Sequence, residues 1–425
     1  MFSFIALFLF TLILYARPAE FYPSPLTASI ALIVGIAALA LFVPTQFALE
    51  GTFTALLPEI KLLMLFVLTG ILSIPLAIDP LQAWGEFSGT FIRAVIIFIV
   101  IVNAVRTEAR LKALLLLAIA TALWLSIGAI NDYRLGLLTV EGYRVGGKGS
   151  GIFGNSNDMA LYLVTIVPIA IAMLLGSRGV IRKLGFAAGS LLMVAAIVVT
   201  YSRGGFIGLI AALSFLAWKA GRRHRSTILI LGLVIVVGFL LAAPSYALRL
   251  ASIVIPSLDP VGSSDARRGE LFRSLYVALR HPILGIGMGN YAPQMSYHGL
   301  VTHNSYTQVA AEMGMTALAF YLMFIVTPLK RLGQIVRETS ASSKSRFHYL
   351  ALGLQASLLS YLVCSFFASV PYLWYVYYLV GYAVCLRRLY ESETGREVLI
   401  VKARSSRQSD RFSDSVIGQS GVATT

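Results

Sequence analysis

Apolar runs separated by short polar turns recur along most of this chain. A helix that crosses a bilayer needs roughly 20 apolar residues, with about 17–25 as the usual range. Runs of this kind fall at 2–16, 26–45, 61–78, 91–105, 112–130, 159–176, 184–200, 205–218, 227–243, 313–329, 349–368 and 372–387. The pattern predicts an all-α, polytopic integral membrane protein with about twelve transmembrane helices. The runs at 2–16 and 91–105 are short, which predicts extension or tilt. No Lys or Arg precedes the first run, so it does not read as a signal peptide, although Ala16-Arg17-Pro18-Ala19 weakly resembles a cleavage region.

Polar residues collect in three segments between runs: 131–158, the turn from Tyr201 to Gly205, and 244–312. The third, between spans nine and ten, is by far the longest. Loops beyond about 12–15 residues are usually functional or disordered. Within it Asp265 can cap a helix from Ala266 to Arg280, with Leu271, Leu275 and Leu279 on one stripe and Pro282 as its stop. That spacing predicts an amphipathic helix lying on the membrane surface. The predicted organisation is a membrane domain over 1–388 and a disordered Ser/Arg-rich tail over 389–425.

Composition supports this reading. Of 425 residues 58% are hydrophobic and 12% charged, against about 25% charged in soluble chains. A soluble enzyme, a disulfide scaffold and a disordered chain are excluded. Cys364 and Cys385 lie in apolar runs and read as core-like thiols. The net charge of +15 is mostly a matter of topology. With the N-terminus inside, 23 of the 34 Lys and Arg residues fall on the inner side, and the 19 acidic residues split nine inside and ten outside. Basic residues favour the cytoplasmic side, so both termini are expected there, and nucleic-acid binding is not expected.

The outer segments carry the candidate chemistry. Gly142 to Lys148 reads like a phosphate loop, but Gly149 stands where Ser or Thr is needed. Gly285, Gly287 and Gly289 lack the spacing of a dinucleotide fingerprint and read as a tight turn or a close backbone approach. Arg203 sits in a turn with no room for a solvated loop, so it either snorkels to lipid phosphates or points into a cavity. Arg267 and Arg268 open the loop helix, where cations oppose the helix dipole unless an anion binds. Arg144 lies in a glycine-rich stretch. Of five histidines, His224 and His348 are assigned inside, and His281, His298 and His303 outside. His303, at the mouth of span ten, is the candidate acid–base group. No metal-ligand spacing and no cofactor motif emerges.

Four patches carry a resemblance: Gly151 to Asn157 leading into a span; Ser202-Arg203-Gly204-Gly205; Arg268 to Phe272 running on to His281 and Gly287; and His303-Asn304-Ser305-Tyr306 followed by Ala311-Glu312 and Gly314. In that order and on one face, they resemble the O-antigen ligase and O-antigen polymerase family of bacterial membrane glycosyltransferases. The resemblance implies an enzyme of the bacterial inner membrane whose site faces the periplasm. Its donor would be a glycan on undecaprenyl pyrophosphate, transferred to a glycan, lipid or protein acceptor without metal or nucleotide. It implies catalytic roles for Arg203, Arg268 and His303. Arg203, Arg267, Arg268, Arg144, Asn157, Asn304 and Tyr306 would contact pyrophosphate or glycan. The doubled Arg267-Arg268 leaves open which one reaches phosphate. With no carboxylate pair set for a covalent glycosyl intermediate, direct displacement with inversion is expected. Polymerase and protein-glycosylating activities share these motifs. A transporter is the main rival from another class, but ionisable groups are scarce at mid-depth in the spans. A non-catalytic partner in envelope assembly is a further rival.

Overall fold

The computed structural model describes residues 2–22, 24–138, 140, 144–146, 153–219, 226, 232, 263–297, 299–340 and 346–395. The predicted span 227–243 and tail 396–425 lie outside these residues, as do His224, His298 and most of the two glycine stretches at 142–152.

The described chain is helical: α1 (Phe2–Ala16), α2 (Pro18–Phe21), α3 (Pro25–Glu50), α4 (Pro58–Ser73), α5 (Pro80–Glu86), α6 (Ile92–Ala104), α7 (Glu108–Arg134), α8 (Ser156–Gly176), α9 (Val180–Val199), α10 (Arg203–Lys219), α11 (Ser263–Arg280), α12 (Tyr291–Gln294), α13 (Ser305–Glu338), α14 (Arg346–Cys364) and α15 (Trp374–Glu393). Among the described residues, seven stretches are long and apolar enough to cross a membrane: Pro25–Glu50, Pro80–Ala104, Glu108–Arg134, Ser156–Gly176, Val180–Val199, Ser305–Glu338 and Arg346–Phe367. The run at 91–105 gains its length backwards, because a π-helical turn at Phe87–Phe91 joins α5 to α6. The other predicted runs within the described residues also fall on helices, but α1, α4 and α10 have only 15, 16 and 17 residues.

Three boundaries differ from expectation. The loop helix begins at Ser263, so Asp265 lies in its first turn instead of capping it. The predicted loop end at 312 gives way to a helix from Ser305, whose polar first turns carry no apolar signal. The tail expected from 389 is still helix to Glu393. Local chemistry explains the starts. Proline, harmless where a helix has no amide to bond, opens α3, α4 and α5. Ser24, Asp79, Thr107, Asn155 and Asn304 cap the starts that follow them.

α8, α14 and α15 are buried for most of their length, whereas α3 is largely exposed and carries apolar Leu32, Ile33 and Ile36 outward. A lipid-facing helix has this character. Polar contacts mark two ends of the bundle. At one end Arg387 grips Glu59 at 2.5 and 3.0 Å, with both side chains buried. Arg346 pairs with Glu108 at 2.9 Å and with Glu393, Tyr390 bonds Glu338 at 2.8 Å, and Arg106 pairs with Glu50 at 3.1 Å. These ties collect the starts of α4, α7 and α14 with the ends of α3, α13 and α15. Charged pairs there match the basic side read from the sequence.

Candidate active site

The other end collects the sequence candidates. α9 closes at Val199, and Thr200-Tyr201-Ser202 turns the chain into α10. Tyr201 has φ of 52°, a conformation non-glycine residues seldom adopt. Ser202 bonds Asn157 at 3.0 Å and receives the Gly205 amide at 3.2 Å, which closes the first turn of α10. Arg144 is 1% exposed. Its Nε donates to the Thr200 carbonyl at 2.9 Å and its Nη2 to Asn157 Oδ1 at 2.8 Å. One oxygen of Asn157 therefore receives both Arg144 and Ser202. The arrangement makes Arg144 a clamp joining the segment before α8, the first turn of α8 and the turn that presents Arg203. Arg203 itself is 9% exposed at the start of α10.

The His303 segment is held just as closely. Thr302 bonds Ser369 at 3.0 Å, Ser305 donates to the Ala368 carbonyl at 2.7 Å, and the Val370 amide returns to Ser305 at 3.0 Å. Asn304 caps α13 by accepting the amides of Tyr306 and Thr307 at 2.9 and 3.0 Å. The Tyr306 hydroxyl turns to α14, donating to the Leu362 carbonyl at 2.5 Å and accepting from Ser365 at 2.9 Å. His303 has φ of 51° and is half-buried. The segment after α14 also covers the Arg203 turn: a side chain at Gly204 would meet Phe367. Arg203 and His303 thus border the same segment, 365–370.

α11 supplies a third side. Glu270, 3% exposed, accepts the Tyr291 hydroxyl at 2.7 Å and the Ser296 hydroxyl at 2.8 Å. Ser274 pairs with Thr307 of α13 at 2.9 Å. Arg267, one turn before Glu270 on the same face, is half-buried and acts electrostatically on His303. Arg268 is exposed, on the side carrying exposed Phe272, Leu275 and Leu279. The helix therefore packs Val277 and Ala278 on Ala310 and Ala311 of α13, beside buried Glu270 and Ser274, and leaves Phe272, Leu275 and Leu279 outward. Burial, with the Arg267 charge, pulls His303 from 6.5 down to about 4, and Glu270 opposes the shift. A neutral imidazole at ordinary pH is in the form a general base needs. His281 is exposed.

The Gly285–Gly289 stretch packs against backbone. The amides of Ile286 and Gly287 bond the Ala311 and Glu312 carbonyls at 3.0 and 2.8 Å, and the Met315 amide bonds Pro282 at 2.7 Å. The partner is a break in α13 at Gly314, whose φ is 89°. Side chains at Gly285 or Gly314 would strike the opposite backbone. Glu312, 2% exposed, accepts the Tyr291 amide at 3.4 Å and Gln308 at 3.3 Å. Neither Gln308 nor Tyr372 figured among the sequence candidates, and Glu312 stood only within the fourth patch of the resemblance. The spacing of Asn304, Gln308 and Glu312, four residues apart, was the available signal, since it sets them on one helix face.

The site combines guanidinium groups with a neutral imidazole. Guanidinium is suited to phosphate oxygens. Among the described residues no three His, Cys, Asp or Glu side chains are grouped to hold a metal ion. A search of curated proteins finds none that matches the chain. Residues 188–322, which contain Arg203, Arg267, Arg268, His303, Asn304 and Tyr306, match the model of the O-antigen ligase family, so the site-bearing segment is similar to that family.

Proposed function

We propose that the protein transfers a glycan from undecaprenyl pyrophosphate to an acceptor at the periplasmic face of the inner membrane, crossing the bilayer about twelve times with both termini cytoplasmic. The family match supports glycan transfer of the O-antigen ligase kind in general. The observation that carries the finer reading is that the turns bearing Arg203 and His303 both border segment 365–370, with the Arg267 charge acting on His303.

In the proposed reaction the acceptor hydroxyl gives its proton to His303 and attacks the anomeric carbon. The bond to the pyrophosphate oxygen breaks, and lipid pyrophosphate leaves with the electron pair. Attack opposite the leaving group inverts the anomeric centre. Arg203, with Arg267 or Arg268, meets the charge that grows on the pyrophosphate. A preorganised donor at such a position is worth about 3–4 kcal/mol of barrier. With cations from arginine, the reaction needs no metal. Arg144 and Asn157 support the Arg203 turn, and Tyr306 seats the His303 segment on α14. Lipopolysaccharide ligation, chain polymerisation and protein glycosylation differ in the acceptor alone.

The test is transfer by purified chain in nanodiscs from a polyprenyl-pyrophosphate glycan, with and without chelator, and with the anomeric product configuration read by NMR. Inverted product formed at full rate in chelator supports the reading. Absence of transfer to glycan, lipid A core and protein acceptors alike, with donor transport across vesicles instead, overturns it.

A further inference from the structure

Three buried polar atoms without a hydrogen-bond partner lie beside the His303 segment. Asn304, 2% exposed, uses Oδ1 to cap α13, and its Nδ2 has no acceptor. One turn on, Gln308 gives Nε2 to Glu312 at 3.3 Å, and its Oε1 has no donor. Tyr372, 2% exposed, faces the Glu312 carboxylate without reaching hydrogen-bond geometry, so its hydroxyl is unpaired as well. Asn304, Gln308 and Glu312 share one face of α13. The bonds from Thr302 and Ser305 to segment 368–370 bring the chain leading to Tyr372 onto the same stretch.

Burying a polar atom without a partner is destabilising, and folded proteins hold few such atoms. Among the described residues, Asp132, Ser156, Gln355, Ser357, Tyr382 and Arg387 each hold one such atom. Here a donor, an acceptor and a hydroxyl that can act as either lie along one face of α13, which starts beside the candidate base. The set has no net charge of its own, and the neighbouring Glu312 is engaged by amides. It suits neither a phosphate, which wants several donors, nor a cation. Adjacent hydroxyls of a sugar ring each donate once and also accept, which is what the three atoms require.

We infer that Asn304 Nδ2, Gln308 Oε1 and the Tyr372 hydroxyl form a subsite for the hydroxyl groups of a sugar ring, next to His303. The inference deepens the glycan-transfer reading and takes the nature of the ring from it. A buried site built for hydroxyls also discriminates strongly against rings that lack them.

Two substitutions remove the binding groups and leave the scaffold. Asn304→Asp keeps the capping oxygen but not the donor, since Asp caps as well as Asn. Tyr372→Phe removes only the hydroxyl. The probes are the methyl glycosides of glucose, galactose and N-acetylglucosamine, added to the full chain in detergent and read by thermal stabilisation. At least one should stabilise the wild-type chain, with an apparent Kd roughly tenfold weaker in each variant. Without sugar, Tyr372→Phe should melt at or above the wild-type temperature, because the lost hydroxyl had no partner. The subsite is refuted if no glycoside stabilises the wild type, if both variants respond like it, or if Tyr372→Phe alone melts lower. A raised KM of Tyr372→Phe for the lipid-linked donor assigns the ring to the donor. An unchanged donor KM with a weakened glycoside response assigns it to the acceptor. Sugar binding that depends on these residues in a chain without transferase activity would sink only the transfer reading. Transfer without such binding would sink only the subsite.

Discussion

Arg267→Gln tests how the site keeps His303 ready to take a proton. His303 lies at about 4 instead of 6.5, first through burial and then through the Arg267 charge, with Glu270 pulling the other way. A displacement of that size corresponds to roughly 3 kcal/mol between the charged and neutral imidazole. Removing the Arg267 charge leaves burial in place, so the value should rise only part of the way towards 6.5. The acidic limb of kcat/KM reports the free enzyme's base. It should fall near pH 4 in the wild type and move upward in Arg267→Gln, while Arg267→Lys keeps it low. The assay is initial transfer rate against pH in nanodiscs, with His303→Gln as the reference, expected to lose about 10²–10⁴-fold. The same shift bears on stability. Between about 4 and 6.5 the unfolded histidine holds a proton that the folded one does not. Stability therefore falls as pH drops through that window and levels off below it. A wild-type limb near 6.5 that Arg267→Gln leaves in place would show that Arg267 does not set the base. Full activity of His303→Gln would remove the base assignment altogether.

Arg203→Lys should lose most turnover while still inserting, because lysine lacks the planar fork that grips two phosphate oxygens; a near-normal rate would reduce Arg203 to a structural charge. Arg144→Ala should cut turnover and lower the melting temperature by the equivalent of about 2–3 kcal/mol, since it deletes two buried charged hydrogen bonds. Wild-type stability in that variant would mean that Arg144 does not clamp the Arg203 turn. Glu59→Gln should cost about 3–5 kcal/mol by stranding buried Arg387, yet leave turnover per folded molecule unchanged, because this pair sits at the far end of the bundle; a specific loss of kcat would contradict that separation. Reporter fusions after Ser340 should be cytoplasmic and a fusion near Ser263 periplasmic, and the reverse result would place every candidate residue on the wrong face.

Much of the architecture follows from composition alone. A run of apolar residues long enough to cross a bilayer must satisfy its own backbone hydrogen bonds, so hydropathy locates helices without knowledge of their neighbours. Arg203, Arg267, Arg268 and His303 stood out as candidates because a charge or a titratable ring at an apolar boundary is conspicuous. Helix ends were less so: the polar turns from Ser305 to Glu312 are helical through the Asn304 cap and packing on α11 and α14, not through any apolar signal. Side-chain roles depended on contacts between residues far apart in the chain. Arg144 is a clamp because Thr200 and Asn157 meet it, and Glu312 is committed to Tyr291 and Gln308. Arg267 and Arg268 are indistinguishable in sequence, yet a rotation of about 100° per helical residue turns one to His303 and the other outward. Local chemistry and hydropathy act over a few residues and determine where helices form. Which polar atoms find partners, and which are left for a substrate, depends on burial and direction, and those exist only once the helices have packed.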